Sequence, residues 1–178
     1  MIVRAASPAD AAALARIYGH NAVHGFGTFE EVAPSPEEMA ARLKAVQDRG
    51  MPWMVVEDAG QVLGFAYAAP YRTRSAYRYT AEDSVYVAPE AQGRGVGRAA
   101  LQAVVAACEA LGVRQLVAVI GDSDNAGSLA LHRALGFEPC GVLPALGFKH
   151  GRWLDVVLMQ KALNGGASIP PQGAGIDL

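Results

Sequence analysis

Charge is scarce in this sequence: 18% of its 178 residues are charged, and the formal balance is only -2. Such a balance gives no general attraction to nucleic acid or to an anionic membrane surface. Cysteine is scarcer still. Cys108 and Cys140 make neither a disulfide framework nor a metal-ligand spacing, so no metal is expected. Although 52% of the residues are hydrophobic, no uninterrupted apolar run approaches the length of a membrane span. Met1-Ile2-Val3-Arg4-Ala5-Ala6 lacks the apolar core of a signal peptide. There are no internal repeats, and no G-x-x-x-x-G-K-[ST] phosphate loop. The expectation is a soluble, cytoplasmic domain with one sizeable core over residues 1–163. A Gly/Pro-rich tail over 164–178 is expected to be disordered or draped on the surface.

What is present is regular. Residues 2–5 read as a strand. Ser7-Pro8-Ala9-Asp10 is an N-cap with proline at the first helical position and an early acid, opening a helix to about residue 22. His24-Gly25-Phe26-Gly27-Thr28-Phe29 fits neither period, and Ser35-Pro36-Glu37-Glu38 is a capping box opening a second helix. Residues 53–57 and 62–68 are strand runs joined by a tight turn at Asp58-Ala59-Gly60-Gln61. The stretch 71–79, with three arginines and three tyrosines, is too polar for a core strand. Residues 82–87 form a further strand. The helix after Gly97 carries Leu101, Val104, Val105, Cys108 and Leu111 on one face, which makes Cys108 a packing thiol. Strand 115–120, helix 125–135 and strands 137–143 and 153–159 complete the order β-α-α-β-β-β-α-β-α-β-β, an α/β fold with one mixed sheet flanked by helices.

The informative stretch is Ser84-Val85-Tyr86-Val87-Ala88-Pro89-Glu90-Ala91-Gln92-Gly93-Arg94-Gly95-Val96-Gly97-Arg98. A strand leads through a turn into a glycine-rich helix start, where exposed backbone N–H groups meet the positive end of the helix dipole. That arrangement suits a phosphate group. Gly95-Val96-Gly97-Arg98-Ala99-Ala100 also fits the dinucleotide pattern G-x-G-x-x-A, with Asp122 at about the distance of a ribose-binding acid. The intervening Ala88-to-Gln92 approach argues against it, because the dinucleotide turn begins at the strand end itself.

Gln92-Gly93-Arg94-Gly95-Val96-Gly97 after Val85-Tyr86-Val87 resembles the acetyl-CoA loop of the GCN5-related N-acetyltransferases (GNAT). Gly64-Phe65-Ala66-Tyr67-Ala68, Ser75-Ala76-Tyr77, Thr80-Ala81-Glu82, His132-Arg133-Ala134-Leu135-Gly136-Phe137 and Gly147-Phe148-Lys149-His150-Gly151 extend the likeness to the phosphinothricin and methionine sulfoximine acetyltransferase branch, over about residues 2–161. The resemblance implies a twisted sheet splayed between its two central strands, acetyl-CoA as co-substrate, and a homodimer. It implies cofactor contacts from Val85, Tyr86, Val87, Gln92, Gly93, Arg94, Gly95, Val96, Gly97, Arg98, Asn125 and Ser128, with pyrophosphate on the loop amides. It implies direct transfer of acetyl to the amine of a small anionic amino-acid-like acceptor.

Acetyl transfer needs a neutral amine, a polarised thioester carbonyl and a proton for the leaving thiolate. Alkyl amines titrate near pH ~10, so a base is required. Glu82, at the head of the strand beside the basic segment, is the candidate, acting directly or through water. Asp83 is the neighbour that competes for the assignment, although adjacent strand residues face opposite ways. Asn125, Ser128 and His132 share one helix face. His132 stands where the wider family often has a thiolate-protonating Tyr, so it is expected at the reacting centre as acid, base or positioning group. The backbone N–H of Val87 is the candidate for polarising the thioester. Arg72, Arg74 and Arg78 with Tyr77 and Tyr86 suit a carboxylate or phosphinate, because Arg pairs bidentately with such groups. By resemblance Phe29 borders the acceptor pocket. A protein- or peptide-amine acetyltransferase and a non-catalytic CoA-binding regulator are the alternatives.

Overall fold

The computed structural model describes residues 1–178. Its elements follow the expected order: β1 (Ile2–Ala5), α1 (Ala11–His24), α2 (Pro36–Asp48), β2 (Trp53–Asp58), β3 (Gln61–Pro70), β4 (Thr80–Val87), α3 (Val96–Ala110), β5 (Gln115–Gly121), α4 (Ala126–Ala134), β6 (Glu138–Lys149) and β7 (Arg152–Ala162). Seven strands form one sheet in the order β1-β2-β3-β4-β5-β7-β6. Neighbours run antiparallel except β4 and β5, which are parallel. This is the mixed, helix-flanked α/β sheet that the resemblance implies. No helix is long and apolar enough to cross a membrane.

Strand alternation decides which helices cover which face. Gly64, Ala66 and Ala68 point to one side of β3, Phe65 and Tyr67 to the other. The small side lets α3 approach closely: a Cβ on Gly64 would lie 2.6 Å from Val96 Cγ1. Val96, Ala100, Leu101, Val104 and Cys108 of α3 are accordingly buried. The aromatic side stacks Trp53 on Tyr67 at 4.2 Å and sets Tyr18 of α1 edge-on to Tyr86 at 4.8 Å. Burying one such Leu or Phe contributes roughly 1.5–3 kcal/mol, so each face is its own half of the core.

Several boundaries differ from the sequence reading, each for a local reason. Pro8–Asp10 is a single 3-10 turn ahead of α1. There Asp10 does more than complement a dipole. Its carboxylate accepts the Ser7 N–H at 2.7 Å and two N–H groups of Arg4 at 2.8 Å. The expected break at 148–152 is instead strand. β6 continues to Lys149 and turns into β7 through His150 and Gly151, both with positive φ. Two register shifts, at Pro139/Gly141 and Leu143/Gly147, hide the period-2 pattern there.

Residues 164–178 lie along the surface on specific contacts. The buried Arg114 guanidinium donates to the carbonyls of Gly166 and Ile169, at 2.5 and 2.7 Å. Tyr79 Oη donates to the carbonyl of Gly173, and the Ile176 N–H to that of Arg78.

Candidate active site

The site starts from a fault in the sheet. β4 and β5 are paired only over Thr80–Asp83 and Gln115–Ala118, the last pair being Asp83 with Ala118. Beyond that vertex β4 stays with β3 and β5 with β7, so the two strands part into a V. The backbone that faces the opening follows from parity. The Ala88 N–H donates to the Leu63 carbonyl and the Tyr71 N–H to that of Thr80, so even-numbered residues of β4 address β3. The odd-numbered Val85 and Val87 therefore turn their N–H and C=O groups into the notch, where β5 no longer meets them.

A cavity of about 540 Å³ fills this notch and passes through the sheet. On one face it reaches Asn21 and Gly27, and on the other Leu131 and His132. Its upper wall is the glycine loop. Gly93 and Gly95 have φ of 74° and 81°, which a side-chain-bearing residue adopts only with strain. Gly95 is the N-cap of α3, and no side chain caps that helix end. The N–H groups of Val96, Gly97 and Arg98 thus have no intrahelical acceptor and stand at the positive end of the helix dipole. A phosphate-bearing ligand with a narrow arm fits these features: anion donors at the mouth, free strand amides along the slot.

Of the residues expected at the cofactor, Val85, Tyr86, Val87, Gln92, Gly93, Gly95, Val96, Gly97, Arg98, Asn125 and Ser128 line the cavity. Arg94 does not. Its guanidinium turns outward to Asp58 at 3.3 Å, an exposed pair worth little in energy. The Asn125 side chain is committed to its own helix and to the end of β5. Its Oδ1 accepts the Ser128 N–H as the N-cap of α4, and its Nδ2 donates to the Gly121 carbonyl.

The two candidate catalytic side chains lie on opposite faces of β4. Glu82 shares the aromatic face with Ser84 and Tyr86, outside the cavity wall, with Arg72 close enough to act on its charge. Burial raises its carboxyl pKa, the neighbouring Asp83 raises it further, and Arg72 partly offsets both. His132 lies on the α3/α4 face, in the cavity wall but 2% exposed. Its Nε2 is 2.9 Å from Asp83 Oδ2 and its Nδ1 is 2.8 Å from the Ser128 carbonyl. Burial alone would lower the imidazole pKa, but Asp83 and the Ser128 carbonyl outweigh it and hold it above the ordinary value. Asp83, itself in the wall and buried, was read in the sequence only as a rival to Glu82. Strand alternation was the signal that set it on the His132 face.

The expected acceptor residues are not gathered into one pocket. Arg72 lies over Tyr71 and Tyr77 packs edge-on to Tyr71 at 5.7 Å, while Arg74 is exposed. Tyr86 is the exception, packed between Tyr18 and Phe65 beside the notch. Phe29 is 40% exposed and packs where Gly121 and Gly147 leave room: a Cβ on Gly147 would lie 2.5 Å from its ring. The loop bearing Phe29 is held by two contacts not anticipated from sequence. Tyr18 Oη meets Thr28 Oγ1 at 3.0 Å, and the buried Lys149 ammonium donates to the Thr28 carbonyl at 2.8 Å.

Residues 20–137 match the acetyltransferase (GNAT) family. The chain belongs to that family. It is 51% identical over 170 residues to a phosphinothricin N-acetyltransferase of Alcaligenes faecalis, covering 96% of this chain and 86% of that one. It is 38% identical over 164 residues to an L-methionine sulfoximine/L-methionine sulfone acetyltransferase of Salmonella typhimurium, covering 92% and 95%. Among solved structures, a GNAT phosphinothricin acetyltransferase of Sinorhizobium meliloti in complex with acetyl-CoA superposes with a TM-score of 0.93 at 44% identity. That match covers 98% of this chain and 94% of the other. The GNAT assignment removes the dinucleotide reading: the β4–α3 loop is an acetyltransferase loop, and Asp122 pairs with Arg152.

Proposed function

We propose that the protein is an acetyl-CoA-dependent N-acetyltransferase acting on the amine of a small anionic amino acid of the phosphinothricin or methionine sulfoximine type. The observation that carries the reading is the through-sheet notch, with free Val85 and Val87 amides below an uncapped, glycine-rich helix start. It lets an acetyl-bearing arm lie between β4 and β5 while an amine reaches the thioester from the other face. The relatives' activities agree with that geometry.

In the mechanism, the N–H groups of residues 93–98 hold the pyrophosphate and the Val87 N–H polarises the thioester carbonyl. Glu82, on the acceptor face and with a raised pKa, takes the proton from the incoming ammonium directly or through water. The neutral amine then attacks the carbonyl carbon. As the tetrahedral intermediate collapses, the nitrogen gives up its second proton, the C–S bond breaks and the thiolate is protonated on the His132 side of the notch. Arg72, Arg74 and Tyr77, on the segment between β3 and β4, are assigned to the acceptor's anionic group, with Phe29 and Tyr86 as its aromatic neighbours.

The same proposal places the enzyme in the cytoplasm, where acetyl-CoA and free amino acids meet, and as a homodimer. Support for the dimer is the free edge of β6, where Val142, Leu143, Leu146 and Phe148, with Trp153, are between 43% and 64% exposed. A second copy of the chain would cover this apolar group. Acetyl-CoA consumption, read as free CoA thiol against a panel containing phosphinothricin, methionine sulfoximine, methionine sulfone and ordinary amino acids, tests the activity. Tight CoA binding without thiol release for any small amine would overturn it in favour of a protein-amine acetyltransferase or a CoA-binding regulator. Light scattering at micromolar concentration reads the oligomeric state.

A further inference from the structure

At the vertex of the notch the sheet places two buried titratable side chains in direct contact. Asp83 is 5% exposed and His132 is 2% exposed, with Nε2 and Oδ2 at 2.9 Å. Hydrogen-bond logic fixes the protons between them. The Ser128 carbonyl, 2.8 Å from Nδ1, only accepts, so Nδ1 carries a hydrogen. The 2.9 Å contact on the other side of the ring then requires a second proton between Nε2 and the carboxylate. With Asp83 ionised, His132 is an imidazolium with both N–H groups engaged.

Burial pushes the Asp83 carboxyl pKa up, and the contact with His132, the one cation that acts on it, pulls the other way. The other groups near the pair are the Cys108 thiol of α3, pushed by burial and by Asp83 up to about 12 and so neutral, and Glu82, which faces the other side of β4. β5 contributes only Ala118 at the vertex. Asp83 Oδ1 is buried and has no hydrogen-bond partner in the protein. A carboxylate oxygen in the wall of a reaction cavity with its second lone-pair site unfilled is a costly arrangement for a purely structural residue.

We infer that Asp83 is the positioning residue of the acetyl-transfer step: it holds His132 as a doubly protonated ring in the notch wall, so that a positive charge stands beside the place where the leaving thiolate forms. This rests on the acetyltransferase reading. As the C–S bond breaks, its electron pair stays on sulfur, where the imidazolium charge stabilises it. Both ring protons stay on their protein acceptors. The sulfur therefore takes the second proton of the acetylated nitrogen, passed through water, and the first leaves on Glu82. The product state is CoA thiol and the amide, with the Asp83–His132 pair unchanged. Ser128 acts through its carbonyl in this arrangement, fixing the tautomer.

Two measurements decide it. In the wild-type protein, nitrogen-15 spectra of His132 are expected to show both ring nitrogens protonated at about neutral pH, above the usual imidazole range; a neutral ring there overturns the inference. In the isosteric Asp83→Asn, kcat is expected to fall at least about tenfold while KM for acetyl-CoA stays within about threefold, because the interaction gains strength only as charge develops on sulfur. His132→Gln should fall similarly, and the double variant should be no worse than the weaker single one, the behaviour of a unit. Unchanged kcat in Asp83→Asn, or additive losses, overturns the inference. If Asp83→Asn does not fold, the wild-type spectra still decide. A wild type that releases no thiol with any acceptor would sink the acetyltransferase reading, while the spectra would still report on the pair.

Discussion

The Lys149 ammonium donates to the carbonyl of Thr28 at 2.8 Å, tying the end of β6 to the loop between α1 and α2 across 121 positions of sequence. The lysine is 1% exposed. Burial lowers its pKa, and Glu31 and Glu30 partly restore it. A buried ammonium with one carbonyl acceptor adds little net stability, since its desolvation cancels much of the attraction. Its effect is on geometry, because the same loop carries Phe29. Lys149→Met should therefore leave the unfolding temperature nearly unchanged while raising KM for the acceptor several-fold. KM for acetyl-CoA should not move. Steady-state kinetics on both substrates, with a thermal melt, check this. A rise in KM for acetyl-CoA alone would contradict it.

Gly95 precedes the uncapped start of α3 with φ of 81°. Alanine there costs roughly 1–2 kcal/mol of backbone strain if the conformation is kept. If it is not kept, the amides of residues 96–98 turn away from the anion they serve. Gly95→Ala should raise KM for acetyl-CoA at least about tenfold, with acceptor KM little changed. Calorimetry with CoA and with dephospho-CoA would show whether the loss lies at the pyrophosphate, since both ligands should weaken equally.

The tail gives a prediction about stability. Arg114 is buried with its guanidinium on the carbonyls of Gly166, Ile169 and Pro170. Ending the chain at residue 163 removes all three acceptors and leaves a charged group beside the core without partners. The truncated protein should unfold about 2–4 kcal/mol more easily in urea, in the range for breaking buried charged hydrogen bonds. Adding Arg114→Met to the truncation should recover part of the loss. A truncation with an unchanged urea midpoint would mean the tail contacts carry no stability.

The sequence made the loop legible because its demands are local. Gly93 and Gly95 need positive φ, and the helix start needs bare amides, so the pattern is written in consecutive residues. The element order was legible for the same reason, with Ser7-Pro8 and Ser35-Pro36 marking helix starts and Ala59-Gly60 a hairpin. What escaped depends on long-range pairing. The Asp83–His132 contact joins positions 49 apart, and Lys149–Thr28 joins strand to loop. No periodicity encodes either one. The register shifts in β6 likewise erased the alternation that would have revealed a twelve-residue strand. Alternation did separate Glu82 from Asp83. What it could not supply was the identity of the partner on each face.

That separation sets the pH dependence. In the proposed mechanism Glu82 must be ionised to take the ammonium proton, so kcat/KM should rise with pH through its pKa. Burial first, then the Asp83 charge, put that pKa above the ordinary carboxylate value, and Arg72 holds it down. The acidic limb of the wild-type profile should thus lie above the range of a free glutamate. Replacing Arg72 with Gln removes a cation that favours the ionised form, so the limb should move to still higher pH. Glu82→Gln should abolish the limb and lower kcat/KM by about 10²–10⁴-fold. Because Arg72 is also assigned to the acceptor's anionic group in the proposed mechanism, the Arg72→Gln profile must be taken at saturating acceptor, as kcat. There a shift of the limb isolates the charge effect from lost binding. A limb that moved down in Arg72→Gln, or that survived in Glu82→Gln, would place the base elsewhere than Glu82.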